Sequence, residues 1–291
     1  DQVRSKGLEC ESFDKIEKKL SQAWLIAGYQ SHKEILDKAN ELLENGKYNE
    51  AIVFLKNSIS NFPSNPNIPS ILSRCYILND DLKEAIIYLE KAKRLNPNIA
   101  SVGWNETRIL LYQKKVDKAL VVAKKTNKLF PDDIEGMGVL GSCLRIYGDI
   151  DESLKFLNKA IKLRPNYAEV FINRGLIRLA QKDKLNALSD LEKAHQLKPH
   201  IKDIWHIILS LKMEFKKFED IILISERMIE IDPADAKIFT IIALSYYNLK
   251  RFKKAEIFFK KAISIKPDDA YAYYNMGIAL QDQGKLEEAI E

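Results

Sequence analysis

Apolar residues recur along most of the chain at helical spacing. From Ala236 onward, Phe239, Ile242 and Tyr246 follow an i, i+3, i+7 stripe. After Leu249, Lys250 and Arg251 comes a second stripe, Ala255, Phe259 and Ala262, at i, i+4, i+7. This pattern predicts a helix, a short turn and a second helix stopped by Pro267. The stops themselves are periodic. Pro63, Pro97, Pro131, Pro165, Pro199, Pro233 and Pro267 fall 34 residues apart and account for seven of the nine prolines. Small residues keep the same period. Ala51, Ala85, Ala119, Ala187, Ala255 and Ala289 form one column, with Ser153 and Ile221 in its gaps. Ala92, Ala160, Ala194 and Ala262 form another, with Ser58, Thr126 and Met228 at the remaining places. A third holds Ala39, Ser73, Thr107, Gly141, Gly175, Leu209, Ala243 and Gly277. Small side chains at fixed positions let helix axes approach near the lower end of the usual ~8–10 Å. Neither helix of a pair buries its stripe alone, so the pairs must stack on one another. The expectation is an all-α solenoid of helix–turn–helix units.

The period divides residues 32–291 into units 32–65, 66–99, 100–133, 134–167, 168–201, 202–235, 236–269 and a partial unit 270–291. Two units depart from the pattern. In 202–235, Leu209, Ile221 and Met228 occupy small columns while Ser225 occupies a large one, so volume is exchanged between columns. In 100–133, Gly103 and Glu106 stand where apolar residues are expected and Trp104 comes one place late, which predicts a first helix shifted by one residue. Residues 1–31 lie outside the period. Phe13, Ile16, Leu20, Trp24 and Ala27 predict an amphipathic helix over about residues 11–29 that caps the first unit. The chain opens on Asp1 rather than Met, which reads as a processed or cut end. The half unit at the other end predicts that the natural chain continues past residue 291, or that this end meets another molecule.

Length supports stacking. At 291 residues and 33.5 kDa the chain is too long for one ordinary compact core, whereas a solenoid core grows with every unit. Hydrophobic residues at 46% and charged residues at 30% describe a folded chain, and 11 glycines with 9 prolines are too few for the turns of an all-β protein. Lys+Arg 46 against Asp+Glu 41 leaves +5, which points to neither nucleic acid nor an anionic membrane as the main partner. No apolar run of about 18 residues predicts membrane insertion. Cys10, Cys75 and Cys143 are too few for a disulfide framework and show no zinc spacing, so a reducing, cytoplasmic setting is the default reading.

Several motifs invite chemistry. Gly136, Gly138 and Gly141 spell the GxGxxG dinucleotide fingerprint, but Phe130, Pro131, Asp132 and Asp133 before them form an interhelix corner, not a strand. Asn105-Glu106-Thr107 is a glycosylation sequon that reads better as a helix surface. Cys75 and Cys143 occupy equivalent places in their units and read as buried small apolar residues. His32, His195, His200 and His206 have no ligand spacing, and no nucleophile, paired-carboxylate or phosphate-loop pattern stands out. The basic stretches Lys250, Arg251, Lys253, Lys254 and Lys114, Lys115, Lys118, Lys124, Lys125 read as solvated turns and helix faces, because aromatic platforms are missing. The segment is therefore read as no enzyme, with no cofactor and no metal.

The spacing and residue pattern resembles the tetratricopeptide repeat (TPR) family over residues 32–291. Phe171 through Gly175 with Ala187, Leu191 and Pro199; Tyr273 through Gly277 with Ala289; and Phe239 with Tyr246, Ala255, Phe259 and Pro267 carry the likeness best. The resemblance implies a right-handed superhelix whose first helices line a concave groove for extended or helical peptide segments. Carried onto this register, the groove-facing residues are Arg74, Trp104, Asn105, Arg108, Arg145, Asn173, His206, Ile241, Leu244, Tyr247, Tyr274 and Asn275. Family members that clamp a C-terminal carboxylate need Lys and Asn across three units. Here Asn40 fits one place, while Ile71 and Ser101 occupy others. The asparagine ladder of O-GlcNAc transferase repeats is matched at Asn105, Asn173 and Asn275, but not at Asp37, Ile71, Val139, Ile207 or Ile241. Apolar groove positions imply an amphipathic helix or the chain's own terminal segment as ligand.

The leading expectation is a scaffold that holds protein segments in its groove. The alternative is the substrate-recruiting arm of a larger enzyme, such as an O-GlcNAc transferase-like glycosyltransferase, with its catalytic domain beyond residue 291. A third is self-association through the uncapped last unit.

Overall fold

The computed structural model describes residues 32–290, so the helix expected over about residues 11–29 lies outside the described residues. Among the described residues there are sixteen α-helices and no strand. They are α1 (His32–Glu44), α2 (Tyr48–Ile59), α3 (Asn67–Leu78), α4 (Leu82–Leu95), α5 (Ala100–Tyr112), α6 (Val116–Leu129), α7 (Ile134–Tyr147) and α8 (Ile150–Leu163). There follow α9 (Ala168–Ala180), α10 (Lys184–Leu197), α11 (Trp205–Glu214, after a 3-10 turn at Lys202–Ile204), α12 (Phe218–Ile231), α13 (Ala236–Asn248), α14 (Phe252–Ile265), α15 (Ala270–Asp282) and α16 (Leu286–Ile290). Odd-numbered helices are the first members of the pairs, even-numbered helices the second.

The even helices start at Tyr48, Leu82, Val116, Ile150, Lys184, Phe218, Phe252 and Leu286, in strict 34-residue register. A backbone feature fixes that phase. Gly46, Asp80, Lys114, Gly148, Lys182, Lys216, Lys250 and Gly284 all have φ between 53° and 106°. The N–H of the next residue then returns to the carbonyl five residues back, as in Lys115 to Leu110, Asp183 to Arg178 and Arg251 to Tyr246, each at 2.9 Å. This is the left-handed closure that satisfies the last carbonyls of a helix. At five of the eight turns a side chain accepts a conformation costing about 1–2 kcal/mol. Lys114 and Lys250, read from the sequence as basic stretches on solvated turns, are two of those residues.

Small columns sit where helices touch. Ala85, Ala119, Ala160, Ala187, Ala255 and Ala262 are fully buried. A Cβ on Gly141 would stand 2.7 Å from Leu157, and the Ser153 hydroxyl donates to the Gly141 carbonyl at 2.6 Å. The chain forms two compact units that divide at Asn173–Arg174, inside α9. Within the first, α1, α3, α5 and α7 touch in succession. Within the second, α11, α13 and α15 do. First helices thus build a continuous wall in each unit.

The interior is not uniformly apolar. Tyr76 stacks on Tyr88 across α3 and α4 with ring centroids 5.5 Å apart, and Tyr246 stacks on Phe258 across α13 and α14 at 5.4 Å. Two units before the Tyr246–Phe258 pair, the same columns hold Arg178 and Asp190. Asp190, 4% exposed, accepts from Arg178 at 2.7 Å and from Arg174 at 2.9 and 2.7 Å. A pair of aromatic rings has been replaced by a hydrogen-bonded ion pair of similar reach. In the next unit Lys212 fills the Arg178 column and is held by Glu192 and Asp220.

The irregular unit 100–133 corrects one expectation. Its first helix begins at Ala100, in phase with Ile134, Ala168, Ala236 and Ala270, so no shift occurs. Gly103 leaves space that Thr126 fills, and Trp104 turns inward over Gly136.

Candidate functional site

The glycine triplet has a packing explanation at each position. A Cβ on Gly136 would overlap the Trp104 indole, one on Gly138 would lie 2.8 Å from the Tyr167 ring, and Gly141 accommodates Leu157. Three neighbouring side chains occupy the space, and the triplet lies inside α7 rather than in a strand–helix turn. The sequon is closed too. Asn105 is 1% exposed, and its amide donates to the Ser70 carbonyl at 2.8 Å. Cys75 and Cys143 are buried free thiols, pushed up by burial to about 12 and about 11. Among the described residues no group of three His, Cys, Asp or Glu is placed to hold a metal ion, and no helix is long and apolar enough to cross a membrane.

The first-helix walls carry a cleft in each unit. In the first unit a cleft of about 300 Å³ lies against α1, α3, α5 and the start of α7. Its chemistry centres on Glu135, whose carboxylate receives Arg74 Nη1 at 2.9 Å and Arg108 Nη2 at 2.6 Å. Arg108 Nη1 also donates to Asn105 Oδ1 at 3.1 Å. One carboxylate between two guanidiniums leaves unused N–H donors, while Glu169 and Glu44 add negative charge near Arg74. Burial, and then Glu135, hold the nearby Tyr167 phenol well above its ordinary range.

The second unit carries a larger cleft, about 560 Å³, against α11, α13 and the start of α15. Leu209, Met213, Ile241 and Leu244 give it an apolar lining, and His206, Lys237 and Lys266 add basic groups. His206 Nε2 lies 3.0 Å from Asp235 Oδ2, while Asp235 Oδ1 caps α13 by accepting from the Lys237 N–H.

The residues expected in a groove therefore separate. His206, Ile241 and Leu244 meet in the apolar cleft. Arg74, Arg108 and Asn105 form the polar network beside the smaller one. Trp104 and Asn105 are each 1% exposed, and Asn105 borders the smaller cleft. The Trp104 Nε1 donates to Asp133 Oδ2 at 2.7 Å while Asp133 Oδ1 caps α7, so this indole anchors a helix start. Asn105 positions Arg108. Arg145, whose pKa burial lowers, donates to Asn173 Oδ1 at 3.1 Å, and Asn173 spends its amide on the Glu169 carbonyl. The Tyr247 hydroxyl donates to Asp282 at 2.6 Å, the contact that raises its pKa. Asn275 donates to its own helix at Tyr271, and Tyr274 stands 67% exposed outside either cleft. Glu135, the hub of the polar network, was missed from sequence. Its column also holds Asn67, Ser101, Glu169 and Lys237, an ordinary first-turn mixture that singles out no member.

Tetratricopeptide repeat models match residues 42–102, 134–167, 236–269 and 258–291, together about half of the chain. No curated protein matches the chain. Among solved structures, the APC/C hetero-tetramer Cut9-Hcn1 superposes with a TM-score of 0.62 at 17% identity, over 96% of this chain and 53% of that one. This chain thus spans about half the length of that relative. The human IFIT1 dimer with m7Gppp-AAAA gives a TM-score of 0.62 at 16% identity, over 96% of this chain and 74% of that one. At such identities the likeness is one of fold.

Proposed function

Because the chain belongs to the tetratricopeptide repeat family, we propose that it is a protein-interaction scaffold that holds segments of partner proteins against its first helices. The observation that supports this most is the apolar cleft of the second unit, where Ile241, Leu244, Leu209 and Met213 come together on the wall of first helices. An apolar recess with a few flanking polar groups is the arrangement that binds by burying a partner's side chains and orienting them with charge. In the first unit, Arg74 and Arg108 supply donors to a more polar segment.

Ile241→Asn tests the assignment. It places an amide in the cleft at a partly buried position, so partner capture from extract is expected to fall at least tenfold while the thermal midpoint stays within about 4 °C of the parent. Undiminished capture would overturn the cleft as the binding surface.

A further inference from the structure

Both clefts above are built from odd-numbered helices. A separate recess of about 520 Å³ lies between α10 and α12, with the end of α11 beside it. It forms where the repeat is least regular. Ser225 stands in the column filled elsewhere by Leu55, Leu89, Ala123, Leu157, Leu191 and Phe259. Its hydroxyl is buried with no hydrogen-bond partner.

The recess reverses the charge of the molecule. The whole chain carries +5, yet the lining sets four carboxylates, Glu192, Asp220, Glu226 and Glu230, against two permanent cations, Lys212 and Arg227. Lys212, 4% exposed, engages Glu192 and Asp220. Glu226 and Glu230 stand one helical turn apart on α12, exposed, and form no ion pair among the described residues. Such an i, i+4 pair of like charges is mutually unfavourable until a cation bridges it.

A buried group gives a second, independent sign. His195 lines the recess, is 4% exposed, and neither of its ring nitrogens has a hydrogen-bond partner. It occupies the column of Ile59, Lys93, Asn127, Ile161, Ile229 and Ile263, in which isoleucine serves packing in four units. Burial, and then Arg227, keep the imidazole neutral, leaving one ring nitrogen as a bare acceptor. Leu223, 72% exposed, supplies apolar surface at the same place.

We propose that this recess is a second binding site, on the even-numbered helices, for a basic amphipathic segment of a partner protein. An arginine or lysine of the segment sits between Glu226 and Glu230, where charge-assisted hydrogen bonds are strongest. A guanidinium has N–H donors to spare for the orphaned acceptor of His195. An apolar side chain of the segment covers Leu223. The site stands independently of the first-helix clefts.

Fluorescence anisotropy with the full 291-residue chain tests it. The probes are two labelled helical peptides with the same leucine face, one carrying arginine on its polar face and the other glutamate. The arginine peptide is expected to bind at least tenfold tighter than its twin. Glu226→Lys with Glu230→Lys is expected to weaken it at least tenfold, and Leu223→Asn several-fold. The equally large charge reversal Asp117→Lys with Asp151→Lys, at exposed positions elsewhere, and the cleft variant Ile241→Asn are expected to leave binding unchanged. Far-UV circular dichroism checks that each variant is folded. Equal binding of both peptides, no binding of either, an equal loss in the Asp117 and Asp151 control, or a loss only with Ile241→Asn would each overturn the site.

Discussion

Gly136→Ala is expected to destabilise the chain by about 1–3 kcal/mol, although alanine in place of glycine in an exposed helix interior gains about 1 kcal/mol. The sign reverses because the added methyl would overlap the six-membered ring of Trp104. That ring has little room to yield. Its nitrogen is fixed to Asp133 at 2.7 Å, and Asp133 in turn caps the helix that carries Gly136. Trp104→Leu vacates the space, so Gly136→Ala should cost much less on that background. Urea unfolding of the four proteins measures the coupling. Additive effects would mean that the indole does not lie over the glycine. A nucleotide-binding role for the triplet predicts instead that Gly136→Ala changes ligand affinity and leaves the unfolding midpoint in place.

Removing Asp190 should have the larger effect. Asp190→Leu strands two guanidiniums that point into the α9–α10 pair, and is expected to cost about 2–4 kcal/mol, somewhat under the range for a fully buried pair because Arg174 and Arg178 keep some contact with water. The repeat itself proposes the remedy. Arg178→Tyr combined with Asp190→Phe installs the stacked rings found at Tyr246 and Phe258, and should recover at least half of the loss. Interchangeability of an ion pair and an aromatic pair at equivalent positions is what a repeated packing unit implies. If the double variant is no more stable than Asp190→Leu, the two positions are not equivalent in packing.

The period, the helix pairs and the small columns were legible in the sequence because each column repeats one physical requirement several times. Ala85 and Ala119 face the same constraint as Ala255, and the repetition outweighs exceptions such as Ile221. What the columns hid were compensations between columns. Trp104 reads as a groove residue by position alone. Its inward turn depends on Gly136 a unit later, where a Cβ would overlap the ring. Arg178 and Asp190 each look like a polar intrusion in an apolar column. Only their coincidence in one unit, twelve residues apart, signals a pair. The left-handed turn column was likewise obscured, since lysine fills four of its eight places and lysine rarely marks such a conformation. The binding surfaces were partly legible. His206, Ile241 and Leu244 share a column-derived face, whereas Glu135, His195 and Glu226 matter through neighbours that no single position displays.

The account turns on partners meeting the first helices of the pairs. Incorporating a photo-crosslinking benzoylphenylalanine at Ile241 on α13, and separately at the exposed Ile257 on α14, measures this directly for a partner captured by the parent chain. A partner adduct from position 241 and none from position 257 is the predicted result. An adduct from position 257 alone, or equal yields from both, would contradict it.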